Sequence, residues 1–89
     1  MDEQTAAFRT ELKQNLIDWL QLLDKTPADV IDEEPLFKEG LGLDSLDAVE
    51  IVILMQREYG IPQSEVEGKR EIFATFATLA DFIQTKRTK

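Results

Sequence analysis

Between Gly42 and Gly60 the chain reads LDSLDAVEIVILMQREY with no glycine or proline, and this stretch restricts the available folds more than any other. From Leu46 to Tyr59 the residues suit a helix, and the apolar ones recur at helical spacing. On a wheel advancing about 100° per residue from Ser45, Ala48, Ile51, Val52, Met55 and Tyr59 share an arc about 100° wide, the width of a core-facing stripe. Leu46, Val49 and Ile53 fall elsewhere, within about 100° of Ser45, interleaved with Glu50, Gln56 and Arg57. A helix apolar on two sides is either wholly buried or has a second surface to cover. Whole burial would also bury Asp47, Glu50, Gln56, Arg57 and Glu58, so the pattern predicts core on one flank and a partner on the other.

The start of this helix carries the residue of greatest interest. Asp and Ser both begin helices, because a side-chain oxygen accepts from the orphan amides of the first turn, so one reading of Ser45 is simply a cap. Asp44 is better placed for that task, with Asp47 three residues on in a near capping-box arrangement. Ser45 then becomes the first helical residue, with a hydroxyl free to face water.

The flanking sequence is helical too. Phe8, Leu12, Leu16, Trp19, Leu20, Leu22 and Leu23 cluster within about 160° of a wheel, which predicts an amphipathic helix over about 3–24, with Trp19 in its core stripe. Residues 25–44 contain Pro27, Pro35, Gly40 and Gly42, which break helices, and read as a long loop. Val30, Ile31, Leu36, Phe37 and Leu41 are the residues expected to pin it to the bundle, with a short helical turn near Pro35. Its acids, Asp29, Asp32, Glu33, Glu34 and Glu39, do not follow the EF-hand calcium pattern and read as a solvated acidic surface. After Gly60 and Pro62, the spacing of Ile72, Phe73, Phe76, Leu79, Phe82 and Ile83 is again helical. Thr78 with Asp81 three residues later marks a new start, which predicts a last helix over about 78–87. Lys86, Arg87 and Lys89 would stand at its negative end, where the dipole favours cations. With no strand-period segment, the fold class is all-α.

Charge and composition narrow the function. The 89 residues suit one domain, and 18 acids against 10 bases give a net charge of −8, the wrong sign for nucleic acid or an anionic membrane. The absence of Cys and His removes disulfides, thiolate metal sites and the commonest general base together. The N-terminal Met1-Asp2-Glu3 is acidic and the longest apolar run is Ile51 to Met55, so neither a signal peptide nor a membrane span is expected, and the expected compartment is the cytoplasm. A catalytic Ser45 would need a base and a group to orient it, and the sequence offers only Asp44 and Asp47 nearby. Ser45 is therefore a better substrate than nucleophile.

Gly42, Leu43, Asp44, Ser45, Leu46, Asp47 and the following Ala48, Val49, Glu50, Ile51 and Val52 resemble the modification motif and second helix of acyl carrier proteins. The resemblance implies a small four-helix bundle: three longer helices and a short one over about 64–74. It implies 4'-phosphopantetheine from coenzyme A esterified to Ser45 by a phosphopantetheinyl transferase, its thiol holding acyl groups as thioesters. Ketosynthase, reductase, dehydratase and acyltransferase-type enzymes are the implied partners, and the protein itself would be a monomeric, non-catalytic carrier. Asp44, Leu46, Asp47, Val49, Glu50, Ile53 and Arg57 would form the docking surface. Gln56 and Arg57, and the basic stretch from Glu67 to Phe73, depart from fatty-acid carriers and are as similar to carriers of polyketide-like or specialised lipid pathways. Asp44 argues against the peptidyl carriers. The competing class is a cofactor-free helical interaction module that binds a partner helix through Leu46, Val49 and Ile53.

One physical consequence follows from charge alone. Between Asp24 and Glu58 there are ten acids and three bases, a local net charge of −7. Salt shortens the Debye length from roughly 10 Å at 0.1 M to about 3 Å at 1 M and so weakens self-repulsion. Thermal melting followed by circular dichroism should therefore show Tm rising with sodium chloride or millimolar divalent cation, and a flat or falling response would show that repulsion does not limit stability.

Overall fold

The computed structural model describes residues 2–22, 24–36 and 45–89, the Arg70 side chain excepted. The first helix, α1 (Glu3–Leu20), starts at Asp2, whose carboxylate accepts from the Thr5 N–H at 2.7 Å. It turns Phe8, Leu12, Leu16 and Ile17 into the core, with Trp19, Leu20 and Leu22 packed at its edge. The helix stops at Leu20 rather than near residue 24. Gln21 takes the left-handed conformation, φ 55°, and the Leu22 N–H returns to the Ile17 carbonyl at 2.9 Å, satisfying a helix-end acceptor and turning Leu22 onto the core. No glycine or proline dictates this end. Leu23 lies outside the described residues.

The connection that follows is pinned by two buried side chains, Val30 and Leu36, as expected. Ile31, also expected to pin it, is 46% exposed, and Phe37 and Leu41 lie outside the described residues. The one helical turn described in the connection is a 3-10 turn at Pro27–Asp29, with Asp29 accepting from the Thr26 N–H at 2.8 Å. Pro35, where a turn was expected, instead forms an isolated antiparallel bridge with Thr75.

Asp32 is not the solvated acid that the sequence suggested. Its carboxylate accepts from Arg9 at 2.8 Å and Lys13 at 2.6 Å, and its side chain is 17% exposed. Arg9 also reaches Asp81 at 2.9 Å, and the Asp32 carbonyl accepts the Ala77 N–H at 2.8 Å. One residue of the connection therefore ties it to α1 and to the last helix.

The second helix, α2 (Ser45–Tyr59), buries Ile51, Leu54, Met55 and Tyr59. Leu54 broadens the expected stripe, while Ala48 and Val52 lie half-buried at its side. Gly60 ends the helix at φ 66°, where a Cβ would collide with the Thr88 hydroxyl. The end of the chain folds back here: Thr88 N–H donates to the Tyr59 carbonyl at 2.9 Å, and Lys89 Nζ donates to the Arg57 carbonyl at 2.9 Å. The Arg87 guanidinium lies over the Phe8 and Tyr59 rings, 5.3 and 5.1 Å from their centroids. Arg87 and Lys89, expected to complement the end of the last helix, thus also complete the end of α2.

The last helix, α3 (Phe76–Lys86), begins two residues before the expected start, because Thr75 is the cap. Thr75 Oγ1 accepts from the Thr78 N–H at 3.1 Å and Thr78 Oγ1 from the Thr75 N–H at 3.0 Å, a reciprocal capping box. Thr78 belongs to the cap as its third helical residue. Two 3-10 turns, Gln63–Glu65 and Arg70–Phe73, occupy the segment expected as a short helix over about 64–74, with Gly68 between them at φ 77°. Among the described residues the fold is all-α: three α-helices and three 3-10 turns in place of four helices. Phe76, Leu79, Ala80 and Ile83 of α3 complete one core with α1 and α2, joined by Ile61, Val66 and Ile72.

The ion cluster at Asp32 has a pH signature. Burial alone would raise the Asp32 carboxyl, but donation from Lys13 and Arg9 outweighs it and holds the group below its ordinary value. Stability from a lowered carboxyl is present above the unfolded value of about 3.9 and is lost as pH falls through the folded one. Asp32→Asn should cost about 1–3 kcal/mol at pH 7. In paired denaturant titrations the gap between the two proteins should stay constant above about pH 5 and narrow below about pH 4.

Candidate functional site

Ser45 opens α2 and is exposed. The first amides of a 15-residue helix have no intrahelical acceptor, and the aligned peptide dipoles place positive partial charge at the same end. A phosphate on the Ser45 oxygen would meet that charge without desolvating a buried group. Asp44, expected to cap the helix and to flank the serine, lies outside the described residues.

Around Ser45 two of the three apolar side chains assigned to the second face are exposed. Leu46 is 74% and Val49 56% exposed, unusual for side chains of their size. Ile53, assigned to the same strip, is half-buried, as is Asp47. Arg57 is exposed but lies twelve positions along the helix, about 18 Å from Ser45 at 1.5 Å per residue, so it belongs to the other end of α2. Glu50 is exposed and accepts from the Trp19 indole N–H at 3.1 Å. This contact was not foreseen. The helical spacing placed Trp19 in the core stripe, and it does pack against the core, but periodicity gives no signal for where its N–H points.

The arrangement offers an accessible hydroxyl on a helix start that suits an anion, next to an exposed apolar strip with an acid at its margin. The chain has no His or Cys, and among the described residues no group of three or more acids is placed to hold a metal ion. Among the described residues no helix is long and apolar enough to cross a membrane.

Residues 11–85 match the family described as the phosphopantetheine attachment site, and the chain belongs to that family, the acyl carrier proteins. Its cofactor is accordingly 4'-phosphopantetheine, and proteins of this family are carriers rather than catalysts. Among curated relatives, the acyl carrier protein of Saccharopolyspora erythraea is 48% identical over 44 residues, 47% of this chain and 46% of the relative. Acyl carrier protein 2, mitochondrial, of Arabidopsis thaliana is 28% identical over 80 residues, 88% of this chain and 64% of the relative. The chain thus spans 46% and 64% of the lengths of these two relatives. No solved structure matches it.

The separation of faces on α2 is open to direct test. Because Val49 is 56% exposed, Val49→Asp should keep the helical circular-dichroism spectrum and change stability by no more than about 0.5 kcal/mol. Loss of the folded baseline would place Val49 in the core.

Proposed function

We propose that Ser45 carries the 4'-phosphopantetheine arm and that the protein presents acyl groups to the enzymes of a fatty-acid or polyketide-type, specialised lipid pathway. The observation that carries this reading is the exposed serine at the first position of α2 in a chain of the phosphopantetheine attachment family. Attachment needs a hydroxyl that a transferase can reach and an environment that tolerates the phosphodiester, and a helix start supplies both. With no histidine in the chain, the base that takes the Ser45 proton comes from the transferase. Ser45 Oγ then takes the phosphoryl end of the arm from coenzyme A, and the nucleotide part leaves. Once attached, the arm supplies a terminal thiol that forms thioesters with acyl groups. The absence of cysteine leaves no protein thiol to compete for them.

The docking surface in this reading is Asp44, Leu46, Asp47, Val49, Glu50 and Ile53, with Arg57 at the far end for an acidic spot on a dedicated partner. Its exposed apolar side chains contribute affinity by leaving water, about 25 cal/mol per Å² covered, while the carboxylates steer basic enzymes such as the phosphopantetheinyl transferase. Ketosynthase, reductase, dehydratase and acyltransferase-type enzymes would use the same surface in turn. Gln56 and Arg57 interrupt its acidity and favour a dedicated pathway over housekeeping fatty-acid synthesis.

Intact-mass spectrometry after incubation with a phosphopantetheinyl transferase and coenzyme A tests the assignment. The wild type should gain the mass of one arm. Ser45→Ala should gain none while losing no more than about 1 kcal/mol of stability, the cost of a helix-start hydroxyl. Modification that persists in Ser45→Ala would move the arm to another residue, and an unmodified wild type would favour the cofactor-free interaction module.

A further inference from the structure

The Ser45 end of α2 is flanked by α1, which runs antiparallel beside it. Asn15 of α1 donates to the Tyr59 hydroxyl at 2.8 Å, and Trp19, one turn further along α1, reaches back to Glu50 of α2. On the helical wheel Glu50 lies about 40° from Leu54 and about 40° from Leu46. Leu54 is fully buried and Leu46 is 74% exposed, so Glu50 stands on the border between the core and the docking strip. It is also five positions from Ser45, about 7.5 Å along the axis, within the footprint of any enzyme that reaches the serine oxygen.

An exposed glutamate ordinarily samples many rotamers, and a partner must freeze it to use its charge. Here the indole that holds it is itself held. Trp19 is half-buried and packs against the core, so its N–H has a fixed direction, and it donates to Glu50 Oε2 at 3.1 Å. A hydrogen bond to a carboxylate is stronger than one between neutral groups, and the carboxylate keeps lone pairs for a second donor. The result is an oriented acceptor at the α1–α2 seam of a protein of net charge −8, which a basic surface suits.

We propose that Trp19 is a positioning residue of the docking face, its indole N–H fixing the Glu50 carboxylate at the α1–α2 seam as the anchor for a cationic side chain of the phosphopantetheinyl transferase. The proposal rests on the reading that Ser45 accepts the arm, and it extends the docking face from α2 onto α1. Trp19 acts through Glu50 and does not itself touch the reacting atoms.

Steady-state arm transfer to wild type, Trp19→Phe, Glu50→Gln and the double variant separates this role from a purely structural one. Trp19→Phe keeps an aromatic ring against the core and removes the N–H. It should raise the KM for the carrier about three- to tenfold, the range spanned by one hydrogen bond, with kcat unchanged. Glu50→Gln should raise KM at least as much, and the double variant no further, because Trp19 then has no carboxylate to position. A wild-type KM in Trp19→Phe overturns the proposal, and so does a Trp19→Phe effect of equal size with and without Glu50. A second measurement needs no folded variant. Trp19 is the single tryptophan, so the 15N-labelled wild type gives one indole cross-peak, which should shift when unlabelled transferase is added without coenzyme A. A cross-peak unmoved at saturation overturns the proposal whatever the variants show. A wild type that gains no arm overturns the Ser45 reading and this proposal with it, whereas normal modification with a KM insensitive to Trp19 overturns the proposal alone.

Discussion

The carboxylate of Asp32 is the contact on which the rest of the arrangement depends. It lies in the connection between α1 and α2, whose described residues hold one 3-10 turn, yet it gathers Arg9 and Lys13 of α1, while its own carbonyl takes an amide of the first turn of α3. Arg9 extends the link to Asp81. Three basic-to-acid contacts in a chain of excess negative charge thus hold together segments that charge alone would push apart. Val30 and Leu36, buried on either side of Asp32 in sequence, add apolar anchorage to the ionic one. Such a connection would otherwise retain most of its chain entropy.

Fixing the connection leaves α2 with one face in the core and the other in water. The buried stripe from Leu54 to Tyr59 orients the helix, and its orientation in turn sends Val49 and Leu46 outward beside Ser45. The same stripe depends on the end of the chain. Arg87 covers the Phe8 and Tyr59 rings, and Thr88 and Lys89 satisfy carbonyls at the end of α2. The two ends of α2 therefore differ: the glycine-terminated end is fastened to the bundle, and Ser45 at the other end is exposed. On the proposal that Ser45 accepts the arm, this division would let partners reach one point on a scaffold fixed elsewhere.

Much of this was legible in the chain. The end of α2 follows from Gly60, a backbone position that a side chain would strain, and the helix begins at Ser45, where the helix-compatible run was expected to start. The two-sided pattern of α2 was legible because exposure alternates with burial at the helical period, and Leu46 and Val49 emerged as exposed from spacing alone. Where the reading erred, the deciding contact lay far off in sequence. Ile31 and Asp32 are neighbours of like promise in a loop, but the apolar one is exposed and the acid is the one drawn in, because Arg9 and Lys13 are there to meet it. Thr75 displaced Thr78 as the cap because its backbone is extended, paired with Pro35 across a bridge that no local pattern predicts.

By itself, then, the sequence determined the helical class, the start and end of α2, the outward Leu46 and Val49, and the serine at the helix start, since each rests on period, propensity or capping over a few residues. The tertiary structure decided the end of α1 at Gln21, where no residue type stops a helix and the chain turns to pack Leu22 against the core. It decided that two 3-10 turns, not a helix, join α2 to α3, and that the Trp19 indole meets Glu50 across the seam. Those outcomes depend on which surfaces α1, α2 and α3 present to one another once packed, and a side chain's distant partner is not encoded in its neighbours.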